Sequence, residues 1–291
     1  MNCSQALNFV LLGLSSDLEK WQLLFSIFLT LYLLGLLGNL ILLLAIRVDV
    51  HLHTPMYFFL SQLSFVDLCL ITTTAPKMLE TLWTLYFFAV FADMDNLLLA
   101  VMAIARYAAV CHPLHYPLLM TSGRCGVLVS GLWGVAHCVS LVHTCCCPSY
   151  LSILIKRYLI FFCGFGSLLW LSCSDAQLNE GLMMIWLGAL LCIVSSYGCI
   201  FHAVARVPSA QGKKKVLATC GSHFSMVTLF YSTVFATYLK PPTSSHSSGG
   251  LVDAVMYTLV TPALDPFIYS LRNTEVKSSL RKVLCMKKSQ D

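Results

Sequence analysis

Seven stretches of this chain are strongly apolar, almost free of charge and each about 20 residues long, which is the length that an α-helix needs to cross a membrane. The first stretch carries no charged residue, and the second is interrupted only by an aspartate. Each stretch therefore predicts one transmembrane helix. The seven run from Trp21 to Ile46, Thr54 to Pro76, Leu82 to Ile104, Cys125 to His143, Gly181 to Ala205, Val216 to Leu239 and Leu251 to Leu271.

The composition of the chain agrees with a membrane as its solvent. Of its 291 residues, 58% are hydrophobic and only 11% are charged, whereas about 25% of the residues in a soluble domain are charged. A chain this poor in polar groups cannot cover its own surface in water. The first apolar stretch follows the acidic Asp17 and Glu19 with no basic segment before it, so we expect a signal anchor and no cleaved signal peptide.

The distribution of basic residues predicts the topology. Tyr158 to Leu171 is an eighth apolar segment, but it has only 14 residues and contains two glycines. With seven spans and an outside N-terminus, thirteen of the eighteen basic residues lie in the cytoplasm, as the positive-inside rule requires. An eighth span would move the run Lys213 to Lys215 and the basic tail outside. We therefore predict an all-α, seven-transmembrane-helix bundle.

The two ends of the chain lie on opposite sides in this topology. Residues 1–20 form an extracellular N-terminus in which Asn2 opens the glycosylation sequon Asn2-Cys3-Ser4. Residues 21–271 form the transmembrane domain. Residues 272–291 alternate apolar and basic side chains at helical spacing, which predicts a short amphipathic helix on the inner leaflet followed by a tail.

Several polar side chains fall at membrane depth, where such groups are expensive and usually functional. Asn39, Asp67, Asp95 and Asp265 occur near the middle or inner half of spans one, two, three and seven. One interpretation is a site for a cation, most plausibly sodium. The other is a hydrogen-bonded polar seam that packs the helices together.

The outer half of the bundle is predicted to be more apolar. Candidate pocket residues lie about one helical turn apart on spans three and six, where they would line a cavity suited to a small, mostly apolar ligand. Plain core packing explains the same pattern for any one of them. The candidates are Phe88, Ala89, Ala92, Tyr231, Val234 and Tyr238.

Seven motifs occur in a fixed order along the chain. They are Phe9–Ser15 (FVLLGLS), Gly38-Asn39, Pro55–Asp67 (PMYFFLSQLSFVD), Met102–Tyr116 (MAIARYAAVCHPLHY), Ser196-Tyr197, Lys215–His223 (KVLATCGSH) and Thr261–Asn273 (TPALDPFIYSLRN). Together they resemble the vertebrate olfactory receptors, within the rhodopsin-like G-protein-coupled receptors, from about Phe9 to Lys288.

The resemblance implies a mechanism. An odorant enters the outer pocket and shifts a two-state bundle, and a stimulatory olfactory-type G protein docks at the rearranged cytoplasmic ends. Arg106 is then the switch arginine, two tyrosines meet near it, and Pro266 kinks span seven. The residues assigned to the switch and the G-protein face are Arg106, Tyr107, Tyr197, Lys213, Lys214, Lys215, His223 and Tyr269.

The chain departs from the family pattern at the switch. The family has an acid before the switch arginine, and this chain has Ala105. Arg106 thereby loses a charge partner, for which we expect either raised basal activity or poor folding. The family's Asn in the motif of span seven is Asp265 here, which adds a carboxyl group to the polar seam.

The outer loops also depart from the family. The family's cysteine at the outer end of span three is Thr81 here, so Cys163 lacks its usual partner. A second loop cysteine is missing, which leaves Cys173 unpaired as well. Because a disulfide contributes about 2–4 kcal/mol to stability, the two losses are a burden for the fold.

Two functions therefore stay open: a ligand-activated olfactory receptor, and a divergent or decayed receptor that no longer folds or signals efficiently. A transporter is disfavoured because the sequence has no internal repeat. The absence of HExxH, phosphate-loop and Gly-x-Ser-x-Gly motifs argues against an enzyme. We expect no cofactor, metal or nucleic acid, and the expected partners are an odorant, a heterotrimeric G protein and the bilayer.

Overall fold

The computed structural model describes residues 18–73, 82–146, 176–238, 256–272 and 276–279. This part of the chain is helical and contains no β-strand. Its seven principal helices are α1 (Leu18–Val48), α2 (Pro55–Thr73), α3 (Leu82–Cys111), α4 (Ser122–Cys146), α5 (Ala176–Arg206), α6 (Ala210–Tyr238) and α7 (Thr261–Arg272). One turn of π-helix, Met256–Val260, leads directly into α7. The predicted all-α class is confirmed.

Each predicted span overlaps one of these helices, and the predicted residues 74–76, 239 and 251–255 lie outside the described part of the chain. Among the described residues, five helices contain an apolar stretch long enough to cross a membrane, and these are Ser26–Val48, Pro55–Thr73, Tyr86–Cys111, Ser122–Val142 and Met184–Arg206. Five of the helices, α1, α3, α4, α5 and α6, are longer than the spans predicted for them. α3 begins at the predicted residue but continues seven residues beyond Ile104, and α6 begins six residues before Val216. Hydropathy marks where a helix meets water, whereas the helix itself continues into the polar phase.

The helix α3 lies at the centre of the bundle. It packs against α2, α4, α5 and α6, while α1 and α7 pack against each other and against α2. The apolar stretch of α3 is 78% buried, whereas that of α1 is only 17% buried. The exposed face of α1 carries the leucines Leu29, Leu33, Leu37, Leu40 and Leu44. An apolar stripe of this size requires a lipid environment.

Two glycines allow α1 to approach α7 closely. A Cβ atom added to Gly38 would lie 2.8 Å from Cγ of Pro266, and one added to Gly35 would lie 3.2 Å from the Cα atom of Ala263. Small residues at such positions are how membrane helices gain packing without a hydrophobic driving force between them. The α1–α7 contact therefore depends on having no side chain at these two positions.

Asn39 completes the same contact with hydrogen bonds. Its Nδ2 atom donates to the carbonyl of Pro262 on α7 at 2.9 Å and to the carbonyl of Gly35 at 3.0 Å. Pro262 lies four residues before Pro266, which is inside α7 and has no backbone N–H to donate. The Asn39 amide thus supplies the hydrogen bond that Pro266 cannot make.

The cytoplasmic end of α1 contacts the start of the C-terminal segment. Residues 276–279 are helical, with Val276 and Ser279 buried and Lys277 exposed. The Ser279 hydroxyl donates to Asp49 Oδ2, and Asp49 Oδ1 accepts from the backbone N–H of His51 at 3.2 Å. The other residues of the predicted amphipathic helix and tail lie outside the described residues, as do Asn2, Thr81, Cys163 and Cys173.

Candidate functional site

The predicted pocket residues lie in the interior of the bundle. Phe88, Ala89 and Ala92 on α3 are buried, and so are Tyr231 and Val234 on α6. The side chain of the sixth candidate, Tyr238, is outside the described part. Both interpretations of the pattern, a ligand pocket and a packed core, require this burial.

A chain of aromatic rings connects the helices at this level. Phe88 meets Tyr257 of the π-turn edge to face at 6.4 Å between ring centroids, and Tyr257 meets Phe230 of α6 at 5.6 Å. Phe230 in turn stacks on Trp186 of α5 at 6.0 Å and contacts Tyr231 at 5.3 Å. Such edge-to-face and stacked pairs are the favoured arrangements of aromatic rings. These aromatic contacts therefore connect four elements of the bundle, α3, α5, α6 and the π-turn.

A hydrogen bond links α6 to α3 beside these rings. The Tyr231 hydroxyl donates to Oδ1 of Asn96 at 2.6 Å, and both side chains are buried. A predicted pocket residue is thus joined directly to a polar side chain at the centre of the bundle. Asn96 was not among the predicted site residues, because the sequence alone does not show which helix face it occupies.

A second polar contact, around Asp93, was also missed. Asp93 Oδ1 accepts from the indole N–H of Trp186 on α5 at 2.9 Å, and Oδ2 accepts from the hydroxyl of Ser140 on α4 at 3.5 Å. Asp93 therefore joins three helices, α3, α4 and α5. Helical periodicity could have revealed this contact. Asp93 and Asp95 are two residues apart in a helix of 3.6 residues per turn, so they lie on opposite faces of α3.

The predicted polar seam lies inside the bundle. Asn39, Asp67, Asp95 and Asp265 are all buried. The Asp67 and Asp265 side chains are hydrogen-bonded to each other, and Asp95 lies within electrostatic range of both. A hydrogen bond between two carboxyl groups needs a proton on one of them.

The seam has no evident metal-binding geometry. Within the described residues, no group of three or more His, Cys, Asp or Glu side chains is arranged to hold a metal ion. One oxygen of each of the three carboxyl groups and Oδ1 of Asn39 have no hydrogen-bond partner among the described residues. The contacts of Asn39 run to backbone carbonyls on α1 and α7, so it joins the helices directly.

Arg106 lies near the cytoplasmic end of α3 with its side chain turned into the bundle. It is 8% exposed, and its Nε atom has no hydrogen-bond partner in the part of the chain that the structure describes. The preceding residue, Ala105, is 1% exposed. The arginine is therefore enclosed at the position where the sequence provides no acid beside it.

Tyr197 and His223 connect α5 and α6 near this arginine. The Tyr197 hydroxyl and His223 Nδ1 are 2.7 Å apart, and their rings stack with centroids 5.8 Å apart. The sequence predicted His223 at the G-protein face, but the structure buries it completely, at 0% exposed. In this conformation His223 holds Tyr197 from inside the bundle.

The remaining predicted residues of the cytoplasmic end lie around Arg106 or at the surface. Tyr269 of α7 is buried and lies within electrostatic range of Arg106. Tyr107 is half-buried, with its hydroxyl 3.1 Å from Nε2 of His112. Lys213 and Lys214 lie in the first turns of α6, with Lys214 exposed. The helix also includes Lys215, whose side chain is outside the described part.

Tyr116 lies in the helical turn Tyr116–Leu119 that follows α3. Burial raises the pKa of its phenol, the nearby Cys125 thiol adds to the rise, and the Arg106 guanidinium opposes it. Tyr116 is therefore a neutral group beside Arg106 at physiological pH.

The described helices form a bundle whose exposed faces are apolar, and five of them are long and apolar enough to cross a bilayer, as in a multi-pass membrane protein. The family model described as "Olfactory receptor" matches residues 28–287. The chain belongs to the olfactory receptor family.

Individual relatives match along nearly the whole chain. Olfactory receptor 1f45 of Rattus norvegicus is 48% identical over 98% of this chain and 97% of its own length. Olfactory receptor 1G1 of Gorilla gorilla gorilla and olfactory receptor 1F1 of Homo sapiens are each 46% identical over 97% of this chain and 96% of their own lengths. The chain is thus a plasma-membrane receptor and not an enzyme.

Proposed function

We propose that this chain is an odorant receptor that binds small volatile ligands in the outer half of its helix bundle and couples to an olfactory-type stimulatory G protein. Membership of the olfactory receptor family is the observation that carries the proposal. The ligand site comprises Phe88, Ala89, Ala92, Tyr231, Val234 and Tyr238. Ligand-binding sites of this kind are mostly apolar with a few polar groups, which this set provides.

Tyr231 is the residue through which a ligand would act on the rest of the bundle. It combines a ring contact with Phe230 and a hydrogen bond to Asn96 on α3. A ligand that moves Tyr231 must break or bend that hydrogen bond and thereby shift α6 relative to α3. The ligand then binds with different free energies to the bundle before and after this shift of α6. Such a difference is what a ligand needs in order to change the populations of two conformations.

The G-protein face follows from the cytoplasmic ends of α3, α5, α6 and α7. The Tyr197–His223 contact holds α5 against α6, and Arg106 lies within electrostatic range of Tyr197, His223 and Tyr269. An outward movement of α6 would release Tyr197 and expose Arg106 and His223 to the G protein. Lys213, Lys214 and Lys215 at the start of α6 would complete the face.

The test is expression at the cell surface with a cAMP readout over a broad panel of volatile compounds. We expect at least one compound to raise cAMP in a saturable manner. For that compound, Ala92→Val should weaken potency by about 10-fold or more, since one or two added methyl groups in a fitted pocket have effects of this size. Val135→Leu, at an exposed position on α4, is the matched control and should leave potency unchanged.

Unchanged potency of Ala92→Val, at normal surface expression, would rule out the proposed pocket. The alternative function, a receptor that no longer folds or signals efficiently, is favoured by the buried Ala105 beside Arg106 and by Thr81 in place of a cysteine. It predicts absence from the cell surface together with no response to any compound.

A further inference from the structure

The positive charge of Arg106 has no negative partner in the part of the chain that the structure describes. Its side chain is 92% buried, since 8% is exposed, and its Nε atom has no hydrogen-bond partner within the described residues. A buried charge is normally paired, because its lost hydration must be replaced. The position that could supply a carboxylate from the same helix turn is occupied by Ala105.

The side chains around Arg106 come from several elements and are all neutral. Tyr197 of α5, Cys220 and His223 of α6, and Tyr269 of α7 lie within its electrostatic range. So does Tyr116, on the turn after α3. The helix α3 itself contributes Ala105 and Tyr107 beside it. None of these groups can neutralise a guanidinium.

Tyr269 contributes a second donor without a partner. Its hydroxyl is buried and makes no hydrogen bond among the described residues. It lies within electrostatic range of Arg106 and of the two carboxyl groups of Asp67 and Asp265. Those two carboxyl groups are already hydrogen-bonded to each other, and neither forms an ion pair with Arg106.

We propose that Arg106 and Tyr269 bind a small inorganic anion, of the size and charge of chloride, that enters from the cytoplasm. A guanidinium N–H and a phenolic O–H are both donors without acceptors, so an anion satisfies the two at once. Arg106 is one positive charge with neutral groups around it, so an anion with a single negative charge neutralises it. A lipid headgroup is too large to reach a side chain of which only 8% is exposed.

The bound anion substitutes for the acid that the chain lacks before its arginine. It stabilises the resting arrangement without any odorant or G protein, because it neutralises Arg106 while the side chain is buried. A rearrangement that exposes Arg106 to water would release it. Chloride would then oppose activation.

The experiment compares the thermal unfolding of the purified full-length receptor in nanodiscs of zwitterionic lipid. The buffers contain sodium chloride or sodium gluconate at equal sodium concentration and ionic strength. We expect a saturable rise in Tm of roughly 2–5 °C with chloride, as ligand linkage predicts for a protein of this size. Equal Tm values in the two salts overturn the proposal.

Two variants locate the effect at Arg106. Ala105→Asp places a carboxylate beside the arginine and should abolish the chloride dependence. Leu114→Asp adds the same charge at an exposed position in the turn after α3, eight residues from Arg106, and should leave the dependence intact. A chloride effect that survives in Ala105→Asp, or one that appears only with anionic lipid, contradicts the proposal. Because no odorant or G protein is used, the outcome is independent of the signalling assay.

Discussion

The contact between Asn39 and α7 yields a prediction that can be worked out from the structure. Pro266 cannot donate a hydrogen bond to the Pro262 carbonyl, and the Asn39 amide does so at 2.9 Å. Asn39→Ala therefore leaves a buried carbonyl without its donor. The second bond of Asn39, to Gly35, adds little, because that carbonyl can also accept the helical hydrogen bond from the backbone of residue 39.

The expected loss is about 1–2 kcal/mol. Leaving a buried acceptor unsatisfied costs about 1–3 kcal/mol, and interhelical hydrogen bonds in membranes contribute about 0.6–1.7 kcal/mol. The expected loss lies where these two ranges meet. For a chain of this size the loss corresponds to a decrease in Tm of roughly 2–8 °C. Thr30→Ala is the control, since it removes an exposed side-chain bond to the Ser26 carbonyl within one helix, and it should be nearly neutral.

A double-mutant cycle separates this explanation from a general packing loss. Pro266→Ala restores a backbone N–H four residues after Pro262. In that background Asn39→Ala should cost less than about 0.5 kcal/mol, because the carbonyl has regained a donor. The assay is thermal unfolding of the four purified proteins in one lipid composition. An Asn39→Ala loss of the same size with and without Pro266 would refute the reasoning.

Two further predictions concern helix packing. Gly38→Ala should destabilise the receptor by about 1–3 kcal/mol, because its Cβ would lie 2.8 Å from Cγ of Pro266. Gly134→Ala is the control and should be neutral or stabilising, because its Cβ would have nothing within 4 Å. Thermal unfolding measures both variants, and equal losses of stability would contradict the close α1–α7 contact. Trp186→Phe keeps the ring stack but removes the donor to Asp93, so it should lower Tm by several degrees. Asp93→Asn should lower Tm by less. A Trp186→Phe protein as stable as the wild type would show that the hydrogen bond between Trp186 and Asp93 contributes nothing to stability.

Much of the fold could be predicted from the sequence because the membrane imposes a simple rule on length and polarity. The helix positions followed from apolar stretches of about 20 residues and from the asymmetric basic residues. Helix ends were less predictable, since a helix such as α6 continues past the bilayer into a basic segment. At the start of α6, Ser209 accepts from the Gly212 N–H through its hydroxyl and from the Lys213 N–H through its carbonyl, and hydropathy is insensitive to such bonds.

The site was only partly predictable, because the packing of the helices decides which face of each helix points into the bundle. Burial of Asp67, Asp95 and Asp265 was expected from their depth, and they do lie together. The partners of Asp93 and Tyr231 were not foreseen, since they come from helices far apart in sequence. The family resemblance placed His223 at the G-protein face, whereas in this structure its side chain is buried and its ring stacks on Tyr197. A motif identifies which residue matters more readily than which way its side chain points.

The most direct test of the central claim is nucleotide exchange on a purified olfactory-type stimulatory G protein. The receptor is reconstituted in nanodiscs, and its folding is checked by cooperative thermal unfolding. An odorant identified in the cAMP screen should accelerate exchange in a saturable manner, and Ala92→Val should shift the half-maximal concentration upward by about 10-fold. A folded receptor that leaves the exchange rate unchanged at every odorant concentration would contradict the account.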